Sequence, residues 1–353
     1  MTELPDADEP SEARVIRHIG TLCRDWPGEV LDAGATTRVL NADGTAPPIF
    51  WTFNSGGEFP ALAGQLPASQ PIVGMRSLNQ IVPPGKRAVT SAITDLASHY
   101  ADTLLKRFGT GPCLVGGNCQ AAEIAYHIAL RLLEAGAEVL GFITLDAEWR
   151  LPLPVPVKLI FGRDSDRNPR RKFSEAQMAM RQDWWSAAFA GIEMAETPGG
   201  HGQYFRPENV PGLAQGILSA RREAPFSFVP SAGRWILRTE ASGEVSLSLP
   251  PGEFAACVDR LRLIQISDGG GVHPPIAAPY SGLLRPAGLV EGCVQFRLPP
   301  YTSARTQVVL CLQDTGPLSW PFCSLPEMPL SSVTLSLPAR ILTRFPDLGI
   351  DAG

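Results

Sequence analysis

The sequence is poor in lysine, in long apolar runs and in paired cysteines. Four lysines (Lys86, Lys106, Lys158, Lys172) stand among 30 Lys+Arg against 35 Asp+Glu, for a formal net charge of −5. That balance excludes a globally basic nucleic-acid binder and leaves no polybasic anchor for a membrane surface. No stretch approaches the ~18 consecutive apolar residues that a bilayer-spanning helix needs. The opening residues, MTELPDADEPSEAR, are acidic and polar where a signal peptide is basic and then apolar, so the expected compartment is the cytoplasm. The seven cysteines (23, 113, 119, 257, 293, 311, 323) are odd in number, scattered and never spaced as C-x-x-C. Neither a disulfide framework nor a zinc site is indicated, and no bound cofactor or metal is expected. A cysteine with a task must be marked by its local setting.

What is present is enough apolar material for a large core. The chain has 353 residues, 44 % hydrophobic and 18 % charged, about twice the usual single-domain length. Up to about residue 224, short apolar runs alternate with helical patterns. PIFWTF (48–53), PIVGM (71–75), CLVGG (113–117), VLGFITL (139–145) and VKLIFG (157–162) read as buried strands of a parallel sheet. Between them 91–109, 120–136 and 174–190 carry helical spacing, as strand–helix–strand crossovers require, and an opening helix covers about 11–25. An α/β fold with helices on both sheet faces follows. After Pro225, alternating runs such as EVSLSL, LRLIQIS and CVQFRL are punctuated by PPG, DGGG and LPP, the pattern of an antiparallel sandwich or partial barrel. The expected division is an α/β domain over 1–223 and a β-rich accessory domain over 224–353.

Residues 113–126, CLVGGNCQAAEIAY, run from an apolar strand through Gly-Asn-Cys-Gln-Ala directly into a helix former. This is the strand–turn–helix context of a nucleophile elbow, G-x-S-x-G, with Cys119 in the serine position. Such a turn lifts the nucleophile clear of the sheet, and the helix N-terminus behind it favours negative charge and offers backbone N–H groups. Small residues two positions either side, Gly117 and Ala121, permit the close strand–helix approach. Ala121 stands where the pattern usually has a second glycine.

A cysteine nucleophile needs a base. His18, His99 and His127 lie in expected helices and read as packing or surface residues; His273 follows a glycine run in the β-rich part. His201, in Pro198-Gly-Gly-His-Gly-Gln-Tyr just past a late strand, is where this fold carries its general base. The carboxylate that orients the imidazole is Asp146, ending GFITLD, or Asp164, ending VKLIFGRD, with Asp166 a weaker third. Both loops open at the same edge of a parallel sheet, and pattern alone does not choose between them.

On these residues, 48–146 and 192–220 resemble the thioesterase domains of polyketide and nonribosomal peptide synthetases, in the α/β-hydrolase superfamily. The matching segments are PIFWTFNSGG, QPIVGMRS, GPCLVGGNCQAAEIAYHIALRLLEAGAEVLGFITLDA and GGHGQYF. The resemblance implies Asp146 as the acid, 27 residues after Cys119 (146 − 119), and oxyanion donors from the backbone of Gln120 and of the Asn54/Ser55 loop. It also implies a substrate carried on the phosphopantetheine of an acyl or peptidyl carrier protein, with neither nucleic acid nor membrane as partner. The family usually has serine at the elbow; a cysteine variant resembles the aminoacyltransferases that shuttle a residue between carrier proteins. The family's helical lid between acid and histidine has little room here, since only AEWRLPLPVP (147–156) intervenes.

Cysteine itself bears on the reaction. Transfer of a thioester to serine discards much of its reactivity, whereas transfer to cysteine exchanges one thioester for another. The expected activity is therefore acyl or aminoacyl transfer or release through a Cys119 acyl-enzyme. The alternatives are a hydrolytic thioesterase, a dienelactone-hydrolase-like esterase using Asp164, and a non-catalytic carrier-binding protein. The run from Arg163 to Lys172 reads as a solvated loop that could also meet a phosphate or an acidic carrier. Glu58 reads as helix-start pairing and Trp184-Trp185 as core.

Overall fold

Five apolar runs become five neighbouring strands because each is buried along its whole length. In the computed structural model, which describes residues 12–81, 90–149, 151–220 and separate segments between 228 and 342, every residue of β3 (Ile49–Phe53), β4 (Ile72–Arg76), β5 (Cys113–Asn118), β6 (Val139–Leu145) and β7 (Val157–Gly162) is buried. Removing each large apolar side chain from water contributes roughly 1.5–3 kcal/mol, which drives the layer together. Before them stand α1 (Glu12–Leu22), β1 (Glu29–Val30) and β2 (Thr37–Leu40); β8 (Ile192–Thr197) follows.

The sheet order is β1-β2-β4-β3-β5-β6-β7-β8. Pairing is parallel from β4 through β3, β5 and β6 to β7, and antiparallel where β2 joins β4 and β1 joins β2. Crossover helices α2 (Glu58–Ala63), α3 (Thr90–Phe108) and α4 (Ala121–Glu134) link β3 to β6; the turn α5 (Pro169–Lys172) follows β7, and α7 (Val210–Leu218) follows β8. α4 packs on β5, β3 and β6, α3 on α4 and α1 on α3, while α2 packs on α7. This is an α/β fold with a mostly parallel central sheet. Lys158, a buried cation inside β7, is neutralised by Glu193 at 2.7 Å and bonded to Ser219 Oγ at 3.0 Å.

Contacts divide the chain into two units: 1–149, 156–172 and 193–224 form one, and 150–155, 173–192 and 225–353 the other. The division is discontinuous, whereas the composition change alone puts a boundary at 223/224. The segment read as a third crossover helix, α6 (Glu175–Ala188), belongs to the second unit. There it packs against the strands Gln307–Leu312 and Gly316–Pro317. Its start is fixed by a capping box between Ser174 and Gln177, and Trp184 and Trp185 are buried core.

The other described strands of the second unit pair antiparallel in small sheets. One runs Ile236–Thr239, Val245–Ser248, Cys293–Leu298, Gly288–Val290, and another joins Leu261–Ile266 to Gln307–Leu312. His273 and Gly269–Gly271 lie outside the described residues. Among the described residues no helix is long and apolar enough to cross a membrane.

Candidate active site

The candidate side chains gather because parallel strands end on one edge. Asn54 and Ser55 follow β3, Ser77 follows β4, Cys119 follows β5, Asp146 follows β6 and Arg163–Arg167 follow β7. His201 comes four residues after β8. The carboxyl edge of an open α/β sheet is where ligands bind, since loops there diverge around a crevice.

Cys119 occupies a sharp corner. Its φ is +52°, a left-handed value rare for a residue with a side chain, and its N–H donates to Leu145 O at 2.8 Å. Gln120 then enters α4 with helical φ −63°, ψ −30°. The small residues matter as expected: a Cβ on Gly117 would stand 3.0 Å from the Ala121 carbonyl carbon and oxygen and 3.1 Å from Ala122 N. Those are backbone atoms that cannot turn aside. Cys119 is partly exposed, whereas Cys23, Cys113 and Cys311 are buried. Burial pushes the Cys23 and Cys113 thiols up to about 12 and that of Cys311 well above the ordinary value.

Asp146 also has positive φ, +56°, and is almost fully buried. Its Oδ2 lies 2.5 Å from His201 Nδ1, and its Oδ1 accepts from Ser165 Oγ at 2.7 Å. His201 is 45 % exposed at its side chain, so its far nitrogen is reachable from solvent. Asp164 goes elsewhere: it is exposed and lies 3.7 Å from Arg171 Nη1. Behind Asp146 stands buried Tyr204, whose phenol is pushed above its ordinary value by burial and stays neutral.

Arg167 connects the groups. Its Nη1 donates to Cys119 Sγ at 2.7 Å and its Nε lies 4.0 Å from Asp146 Oδ2. Its backbone N–H donates to Ser165 Oγ at 3.1 Å, so one buried serine ties the loop after β7 to the Asp146 carboxylate. The sequence showed Arg167 only as one charge in a basic run.

The loop after β3 is held from several sides. Asn54 Nδ2 donates to Asn118 O at 2.7 Å, Ser77 Oγ to Asn54 Oδ1 at 2.7 Å and Trp26 Nε1 to Gly56 O at 2.6 Å. Its two N–H groups, Asn54 at 2.8 Å and Ser55 at 3.0 Å, converge on Glu58 Oε2, which also accepts from Asn118 Nδ2 at 3.2 Å. Two of the donors expected to face an oxyanion, Asn54 and Ser55, are therefore engaged by the carboxylate that opens α2, and Glu58 pairs with the loop as its position at a helix start suggests.

His99 lies 3.4 Å from Asp32 Oδ2 and 3.2 Å from Thr36 Oγ1, a structural pairing. His127 is held neutral in α4 by burial, its pKa lowered to about 4. Among the described residues no group of His, Cys, Asp or Glu could hold a metal ion.

Residues 50–150 match the family model of the thioesterase domain. That segment is similar to the thioesterase domain. It runs from β3 to just beyond β6, so Cys119 and Asp146 lie inside the thioesterase match and Arg167 and His201 beyond it. Solved structures similar to the chain include the NocB thioesterase domain from the nocardicin cluster, at 15 % identity and TM-score 0.40, covering 53 % of this chain and 98 % of that one. The SrfTE thioesterase domain, described in the cyclisation of the lipopeptide antibiotic surfactin, matches at 16 % identity and TM-score 0.38, covering 52 % and 94 %. A four-domain nonribosomal peptide synthetase bound to AMP and glycine matches at 14 % identity and TM-score 0.39, covering 52 % of this chain and 20 % of that one. No curated protein matches the chain.

Proposed function

We propose that the chain transfers or releases an acyl or aminoacyl group from the phosphopantetheine thioester of a carrier protein, through an acyl-enzyme on Cys119. The observation that carries the reading is the left-handed corner at Cys119, within a segment that matches the thioesterase model, joined through Arg167 to the Asp146–His201 pair. Sγ attacks the thioester carbonyl and passes its proton to His201. Asp146 accepts from Nδ1 and so leaves Nε2 as the working nitrogen. The Gln120 N–H, at the head of α4, faces the developing oxyanion.

The leaving pantetheine thiolate takes that proton from His201 and departs as the thiol. Because the acyl-enzyme is itself a thioester, it stays reactive toward a thiol, an amine or a hydroxyl; with water as acceptor the same site is a hydrolase. The exposed arginines of 163–171 suit the phosphate or the acidic surface of a carrier. The carrier is the only partner this chemistry asks for, and the chemistry needs no bound cofactor.

The experiment incubates an acyl-carrier thioester with wild type and Cys119→Ala and reads intact mass. The expected result is an acyl adduct on wild type and none on the variant. Unchanged turnover by Cys119→Ala refutes the reading.

A further inference from the structure

If Cys119 takes up an acyl group, an oxyanion must form beside it, and two of the donors that the fold offers are already engaged. The Asn54 and Ser55 N–H groups lie 2.8 and 3.0 Å from Glu58 Oε2, and Asn118 Nδ2 completes the cradle around that one oxygen. The cradle has the convergence that an oxyanion needs, yet it is filled from within the chain. A negative oxygen arriving there would face a carboxylate instead of free donors.

On the other side of the sulfur stands a cation. Arg167 Nη1 touches Cys119 Sγ at 2.7 Å, and the arginine side chain is 39 % exposed, so part of its donor fork faces open space. The guanidinium carries five N–H donors in one plane and does not lose its charge. It is positioned rather than loose, because the Arg167 N–H is bonded to Ser165 Oγ, and Ser165, itself fully buried, donates to Asp146.

We propose that Arg167 is a catalytic residue: its guanidinium donates to the oxyanion that forms when Cys119 attacks, in the place that Glu58 denies to the Asn54/Ser55 loop. This rests on the reading of Cys119 as the acyl carrier. The step balances as follows. Sγ forms a bond to the carbonyl carbon, and the carbonyl π pair moves onto the oxygen, which accepts from Arg167 and from the Gln120 N–H. The pair returns as the carbon–sulfur bond to pantetheine breaks, and the leaving thiolate takes the proton that His201 received from Cys119. The oxygen sits on the carbon bonded to Sγ, so a guanidinium already in contact with Sγ reaches it by a small swing. A charged donor of this kind is stronger than a neutral one.

The test separates oxyanion support from sulfur reactivity. Full-length wild type, Arg167→Gln and Arg167→Lys are acylated with S-acetylpantetheine in single turnover, read by intact mass. The same proteins are alkylated with iodoacetamide, with peptide mapping of Cys119. Alkylation displaces iodide from a saturated carbon and forms no oxyanion.

Arg167→Gln should slow acylation about 10²–10³-fold, the range for loss of one oxyanion donor. Alkylation should fall by no more than about tenfold, through the smaller thiolate fraction once the neighbouring charge is gone, and the retained reactivity also shows that the variant is folded at the site. Arg167→Lys should recover part of the acylation rate through charge without the fork. Wild-type acylation by Arg167→Gln overturns the proposal, as does an equal loss in both reactions, which would assign Arg167 to the sulfur alone. Absence of an acetyl adduct on wild-type Cys119 overturns the parent reading and this one with it.

Discussion

Replacing Cys119 by glycine should make the protein more stable than replacing it by alanine, although both substitutions remove the sulfur. The residue has φ +52°, where a side chain's Cβ crowds its own backbone at a cost of roughly 1–2 kcal/mol. Alanine keeps that cost and glycine removes it. Glycine in turn loses more freedom on folding, roughly 0.5–1 kcal/mol. The net expectation is that Cys119→Gly exceeds Cys119→Ala by roughly 0.5–1 kcal/mol. For a unit of about 200 residues this is a melting temperature about 1–4 °C higher. Both variants lose the Arg167 contact to Sγ, so that loss cancels in the comparison. Ala35 supplies a control, because it too has φ +52° and already carries alanine. Ala35→Gly should gain a similar amount with no bearing on the site. Calorimetry of the full chain resolves the α/β transition. An alanine variant as stable as the glycine variant, with Ala35→Gly stabilising as expected, would mean that the corner at Cys119 is not strained. The elbow argument would then lose its physical basis.

Asp146→Asn should lower acyl turnover by about 10³–10⁴-fold, since the amide cannot hold the imidazole in the working tautomer, whereas Asp164→Asn should stay within about threefold. Assay of both with one acyl-carrier thioester decides it, and a larger loss at Asp164 would transfer the acid to the loop after β7. His127 gives a pH signature. Its folded pKa is lowered to about 4 by burial from an ordinary 6.5, so the unfolded chain binds the extra proton between those values. Its contribution is therefore fully present above pH 6.5 and lost as pH falls toward 4. Because the ring is only partly buried, the loss is discounted to roughly 1–2 kcal/mol. His127→Gln should flatten that part of the stability–pH curve in urea titrations; parallel curves for the two proteins would show that the ring titrates freely.

The parts of the fold that are legible in the sequence are those where burial is two-sided. β3 to β7 are covered on both faces, so their residues form unbroken apolar runs that need no partner to be recognised. β1 and β2 escape notice because β1 is two exposed residues and β2 alternates between buried and half-buried. α6 is legible as a helix between β7 and β8, but its packing partner is not. Helical spacing reveals that a face is apolar, but not which surface it buries against, and in α6 that surface is made by strands more than 115 residues later.

The same distinction separates the site residues. Cys119 and His201 each sit in a local pattern with small or glycine neighbours and can be picked out without partners, whereas Asp146 shares its strand-end pattern with Asp164 and is not separated from it by pattern alone. Ser165, Arg167 and Glu58 act through side chains that cross between loops: Arg167 reaches Cys119 over 48 positions and Asn118 reaches Glu58 over 60. Such pairs leave no local signature, because arginine and glutamate at loop positions are solvated far more often than they are engaged. Two carboxylates, Asp146 after a strand end and Glu58 at a helix start, therefore have opposite tasks in the fold. Asp146 is buried between Ser165 and His201, where its charge acts on the imidazole and on Arg167. Glu58 faces the β3 loop and saturates its amides. One carboxylate organises a proton carrier and the other closes an anion cradle, so the positive charge left at the sulfur is that of Arg167.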